Sequence, residues 1–337
     1  MLKPLEPYLG RAAILNSAQT RTVSHPSGTN MMLQMRNNPT GNATGFCGLL
    51  GRQLAPKGQL GEVRLLAGTI PMDVGVPESL SVRFDKPDAN NSLLRQLWLA
   101  AKDGAGTEKD RVLHRRDGRK VATHYNEQLE NLLLRLKDLE MPDAPQLKLS
   151  RSLWSSSEVA SSVWAAIIRD ALFVAENRLA PAIHVRAPFS MEFDCHQEHY
   201  NAQLVGWNLL AAALRYLFQE LETRRSPAGN VLAEEVVVLL SSDVGRFPVL
   251  NKYNGTDHLP EVPLLLYGAG IHAGKYGQTN RRVIAVPVDR ESGRPSSMPT
   301  AFVPDLNDLG TTLLHHFDVD PAAVAFSGRP LSFLVKG

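Results

Sequence analysis

The sequence predicts an α/β fold built on a mostly parallel central sheet, and three observations carry that reading. First, the apolar runs Val236–Leu240 and Val262–Tyr267 are unbroken, as in strands buried on both faces. Second, long segments with apolar residues at helical spacing alternate with such runs: Ala160, Trp164, Ile167, Ala171 and Val174 stripe 158–178, and Trp207, Leu210, Leu214, Leu217 and Leu221 stripe 200–224. Third, carboxylates and imidazoles fall just after the strands, where open α/β sheets place their ligands.

Taken in order, Ala12–Asn16 reads as a first strand. Residues 17–45 are rich in Ser, Thr, Asn and Gly and read as one long loop, with His25 a surface histidine inside it. Phe46–Leu54 reads as a short helix and Glu62–Gly68 as a second strand. Between 86 and 150 two helical stripes, SLLRQLWLAAK and NEQLENLLLRLKDLE, frame a charged turn, and Pro142 and Pro145 end the pattern. This stretch is expected to be a helical insertion within a single domain spanning 1–337. Its basic cluster, Arg111, His114, Arg115, Arg116, Arg119 and Lys120, reads as a solvated turn before it reads as an anion site. Ala182–Val185 makes a third strand; Asp305–Phe317 is a final helix.

A net charge of +2 with no basic block points away from a nucleic-acid partner. No apolar run approaches the ~20 residues of a membrane span, and the chain as given shows no signal peptide, so it is expected to be cytoplasmic; a start further upstream would make it periplasmic. Cys47 and Cys195 match no zinc spacing. They are expected to remain unbonded, with Cys195 turned away from its neighbours and packed as a small hydrophobe.

The chemistry concentrates in two halves. After the third strand come Asp194 and His196, with His199 close by. After Leu240 come Ser241, Ser242 and Asp243, and a polar loop then carries Asp257 and His258. Carboxylates with neutral imidazoles suit Zn²⁺ or Mn²⁺, and a carboxylate-heavy set suits Mg²⁺ or Ca²⁺. Asp194, His196, Asp243, Asp257 and His258 are therefore the candidate ligands of a divalent metal, with Asp243 doubling as a catalytic, water-orienting base.

These pieces stand in a specific order: Phe193-Asp194-Cys195-His196, Ser242-Asp243-Val244-Gly245-Arg246-Phe247-Pro248, Asp257-His258, Gly268-Ala269-Gly270 and Gly328-Arg329-Pro330. In that order they resemble the bacterial sulfatase-like domain-of-unknown-function family fifteen-oh-one, within the alkaline phosphatase superfamily. The resemblance implies a three-layer α/β/α sandwich and a hydrolase-like protein acting on small anionic phosphate or sulfate esters. It departs from the family at Val244, where superfamily members usually have His, and at Asp243, where the family has Glu. No counterpart of the family's Gly-Gly-x-Asp-Gly segment precedes Met1, so the first strand of the sheet is expected to be absent. No activated nucleophile is legible among Ser24, Ser27 and Thr29, so weak or absent turnover is expected. The alternative is a non-catalytic metal- or anion-binding protein that retains the fold; an oligomeric or sheet-completing partner also stays open.

Overall fold

The computed structural model describes residues 3–39, 44–66, 79–83, 92–103, 123–149, 155–186 and 193–336. Their order is β1 (Ala12–Gln19), α1 (His25–Gln34), α2 (Phe46–Leu54), β2 (Glu62–Leu66), β3 (Ser79–Arg83), α3 (Leu93–Asp103), α4 (Thr123–Lys137), α5 (Ser155–Glu176), β4 (Ala182–Arg186), α6 (His199–Thr223), β5 (Val237–Leu240), β6 (Gly245–Leu250), β7 (Thr256–Leu259), β8 (Glu261–Gly268), β9 (Gly274–Tyr276) and α7 (Leu306–His316). The expected basic cluster at 111–120 lies outside the described residues, as does the end of the strand expected to reach Gly68.

The mixed α/β chain forms two larger sheets and a hairpin. Strands β3-β2-β4 make an all-parallel sheet, with Glu62 opposite both Ser79 and Ala182. Strands β5-β8-β1-β9 make the other, in which β8 runs antiparallel to both β1 and β5 and only the β1–β9 pair is parallel. This corrects the reading of Val236–Leu240 as a strand buried on both faces of a mostly parallel sheet. The strand it forms, β5, lies at the edge of a mixed sheet, and its four residues, Val237–Leu240, are half-buried. An apolar run reports that both faces are covered; it carries no information about strand direction.

Both faces of the mixed sheet are indeed covered. Ala13, Leu15, Leu264 and Leu266 pack with Met32 of α1, Phe46 and Leu50 of α2, and Leu309 and Leu313 of α7. Ala12 and Tyr267, on the other face, pack with Trp164 and Ile168 of α5 and Leu210 and Phe218 of α6. The period-2 alternation of β1 and β8 thus feeds two separate cores. Helix α5 belongs to both sheets, because Ala166, Ile167 and Phe173 pack with Val63 and Leu65 of β2 and with α3 and α4 residues Leu97 and Leu132.

Helix α7 is fixed at both ends of its sequence motif. Asp305 and Asp308 form a capping box. Asp308 also accepts from the Arg329 amide at 2.6 Å, Thr311 from Gly328 at 3.0 Å, and Thr312 from Leu331 at 2.8 Å. The Gly328-Arg329-Pro330 motif is therefore strapped along the buried face of α7.

Candidate metal centre

Three chain segments remote from one another build the site. The first is the start of α1. Ser24 is the N-cap residue and Pro26 sits in the first turn, where the missing proline N–H costs no helical hydrogen bond. This replaces the expected long loop with a helix, and it moves His25 from an anonymous surface position into the site. The second segment follows β4 and carries Asp194 and His196. The third is the β6–β7 hairpin, in which Arg246 pairs with His258 across the ladder. His258 thus lies on a strand rather than in the loop that was expected.

The last two segments are held together by backbone. The His199 amide donates to Asn254 O at 3.0 Å and the Thr256 amide to Cys195 O at 2.9 Å. A Cβ on Gly255 would lie 1.8 Å from the His196 carbonyl oxygen, so only glycine allows this approach. Asn251 tightens the join, donating to His196 O at 3.2 Å and to Asp257 Oδ1 at 3.0 Å.

Asp194 is the hub. Its Oδ1 meets an Arg246 guanidinium N–H in a short ion pair, and lies 3.3 Å from both His196 Nε2 and His258 Nε2. Its Oδ2 lies 3.1 Å from His25 Nε2. Burial pushes the Asp194 carboxyl up, but the Arg246 guanidinium and the neighbouring His258 and His25 rings outweigh it and hold the group well below the usual carboxylate range. His258 and His196 meet Nε2 to Nε2 at 3.0 Å. The side chains of His25, Asp194 and His258 bring one donor atom each within 4.8 Å of one another.

The tautomers follow from the outer bonds. His258 Nδ1 is 2.5 Å from Val23 O, so it donates its N–H there and leaves the Nε2 lone pair facing Asp194. His25 Nδ1 is 2.6 Å from Asp243 Oδ2, which likewise directs the His25 Nε2 lone pair inward. That Nε2 is buried and forms no hydrogen bond of acceptable geometry. An unsatisfied imidazole nitrogen aimed at a carboxylate and a second imidazole is what a cation would satisfy. Tetrahedral bonds of about 2.0 Å put ligand atoms about 3.3 Å apart; His258 Nε2 stands at 3.3 Å from Asp194 Oδ1, and His25 Nε2 at 3.1 Å from the other oxygen, Oδ2. The residues therefore fit a divalent ion.

The other expected residues flank this group. His196 stands beside it and reaches Asp257 Oδ1 through Nδ1 at 3.4 Å. Asp257 is exposed, its carboxyl lowered chiefly by the Asn251 bond. Asp243 touches the group only through His25. His199 faces away, with Nδ1 3.2 Å from both Cys195 Sγ and Thr256 Oγ1. Both cysteines are free thiols. Cys195 is buried as expected, but among polar partners, since Gln203 Nε2 also donates to its Sγ at 3.2 Å. It is not packed as a plain hydrophobe. Cys47 has its thiol pushed up to about 12 by burial and by Glu62.

Comparison with known proteins supports the order of motifs. Residues 176–333 match the family described as Protein of unknown function (DUF1501). The DUF1501 stretch contains Asp194, His196, Asp243, Asp257 and His258, whereas His25 lies before it. Phosphopentomutases are also similar. That of Shewanella woodyi is 36% identical over 91 residues, covering 27% of this chain and 20% of the relative. That of Shewanella loihica gives the same identity and coverage. That of Shewanella putrefaciens is 28% identical over 134 residues, covering 40% and 24%. The matches thus span at most about a quarter of the phosphopentomutases' own length.

Proposed function

We propose that this chain is a metal-dependent hydrolase-like protein of phosphate or sulfate esters, on a three-layer sandwich of alkaline-phosphatase type. The observation that carries the reading is the convergence of His25, Asp194 and His258 on one spot. Support comes from the DUF1501 match and from similarity to phosphopentomutases, which belong to the alkaline phosphatase superfamily. His25, Asp194 and His258 would hold the ion, and His196 is placed to join them. When bound, the ion would supply Lewis acidity toward an ester oxygen and lower the pKa of water. Arg246 balances the Asp194 charge and presents a guanidinium beside the group, suited to the oxygens of a small anionic ester. Asp243 holds the His25 ring through Nδ1, and Asp257 holds the His196 ring.

One observation favours the alternative of a non-catalytic metal- or anion-binding protein. The Thr29 hydroxyl is tied to Asp243 Oδ2 at 3.1 Å, on the Nδ1 side of His25, whereas Asp194 stands on the Nε2 side, so the hydroxyl is held away from the candidate metal position. Elemental analysis of the purified protein, combined with a screen of aryl phosphates and aryl sulfates, separates the readings. The expected result is a divalent ion retained by wild type and lost in His258→Ala and Asp194→Asn, with slow turnover lost in the same variants. Stoichiometric metal without turnover would favour the binding protein. Absence of any bound divalent ion after loading with Zn²⁺, Mn²⁺, Mg²⁺ and Ca²⁺ would sink the metal-dependent hydrolase and the metal-binding reading together, leaving only an anion-binding protein.

A further inference from the structure

The Asp243 carboxylate sits behind His25, on the side away from Asp194. Its Oδ2 accepts from two groups of one helix: His25 Nδ1 at 2.6 Å and Thr29 Oγ1 at 3.1 Å. Its Oδ1 accepts from the Val244 amide at 3.0 Å and from Ser242 Oγ at 3.4 Å. His25 and Thr29 are four residues apart on α1 and share a face. Between them, Gly28 lets the helix press on the Asp243 loop, since a Cβ there would lie 2.2 Å from Asp243 O. The carboxylate is thus held by four donors, two on each oxygen, and its free rotation about Cβ–Cγ is removed.

We infer that Thr29 is a positioning residue for the metal centre, acting through Asp243 on His25. An imidazole that donates Nδ1–H to a fixed carboxylate keeps its lone pair on Nε2 and its ring in one plane. Deleting the Thr29 hydroxyl leaves Oδ2 anchored by His25 alone, so this end of the carboxylate can swing about its Oδ1 anchor, the imidazole follows it, and His25 Nε2 loses its aim. The inference rests on the metal reading above and assigns to that site a residue outside its donor group.

The test uses the full chain and Zn²⁺ as probe, with affinity read by competition against a chromogenic chelator and the melting temperature of each metal-free variant read alongside. Thr29→Val should weaken Zn²⁺ binding about tenfold, the lower end of the range when outer partners of metal ligands are removed. Thr29→Ser, which keeps the hydroxyl, should recover most of the affinity. In an Asp243→Asn background, adding Thr29→Val should cause no further loss, because the path through Asp243 is already broken. Wild-type affinity in Thr29→Val overturns the inference while leaving the metal reading intact. So does a Thr29→Ser protein as weak as Thr29→Val, or full additivity in the double variant. Wild type that does not bind Zn²⁺ removes the metal reading itself, and the inference falls with it.

Discussion

At the residue scale, a proton and a cation compete for His25. Burial lowers the affinity of its ring for a proton, but Asp243 and Asp194 outweigh this and raise it above the ordinary histidine value. In the metal-free protein, stability from the charged ring is therefore fully present below the unfolded value of about 6.5. It is lost as pH rises through the raised folded value. Asp194 works in the opposite sense: its depressed carboxyl contributes above about pH 4 and loses that contribution only well into acid. With chelator present, the melting temperature should fall on going from pH 6 to pH 9 more in wild type than in His25→Gln. With Zn²⁺ present the trend reverses, since the ion needs the neutral ring and its affinity grows with pH. A wild-type profile parallel to His25→Gln in both conditions would contradict the ion-pair account. His25 was illegible from composition, because its segment is polar and Gly-containing. The usable signals were Ser24 followed by Pro26, a helix start, and Met31, Met32 and Met35 at helical spacing. Asp194 and His258 were legible because each belongs to a paired carboxylate and imidazole after a strand-like run, Asp194-Cys195-His196 and Asp257-His258.

Among the elements, the β6–β7 hairpin and α7 separate a functional join from a structural one. Gly255 lies at the contact between the hairpin and the Asp194 segment. Gly255→Ala must push back backbone, so it should weaken Zn²⁺ binding at least tenfold while leaving α7 and its strap intact. Asp308→Ala should do the reverse. It removes a capping-box partner and the acceptor of the Arg329 amide, a loss of about 1–3 kcal/mol, with metal affinity unchanged. Thermal melts and chelator titrations of both variants check the pair. β1, β2, β4, β5 and β8 were legible from apolar runs and the longer helices from their stripes, whereas the strands β3, β6, β7 and β9 carry no such run, and α1 lies inside a polar segment. Pairing direction was not legible: β5 and β8 owe their composition to the two cores on either side of their sheet, and those cores would select the same residues for a parallel neighbour.

For the molecule as a whole, α5 is the shared wall of the two sheets. Trp164 packs with the mixed sheet, and Ile167 with the parallel one. Truncating Trp164 to Ala should cost about 3–5 kcal/mol. Because the same helix serves both cores, calorimetry should still show one transition, displaced downward. Two separated transitions would mean that the sheets unfold independently. Among the described residues no helix is long and apolar enough to cross a membrane.

The bond between His258 and Val23 spans 235 positions of sequence, and that between His25 and Asp243 spans 218. A cation gripping His25 and His258, which lie on the same two remote segments, would close a loop of similar size in the disordered chain, much as a covalent cross-link does, and loop closure is entropically costly to achieve without one. Saturating the centre would then act as a reversible staple. At a free ion concentration about 100 times the dissociation constant, the native state gains about 2.7 kcal/mol. Starving the protein of ions would thus shorten its lifetime against proteolysis, whatever ester it does or does not cleave.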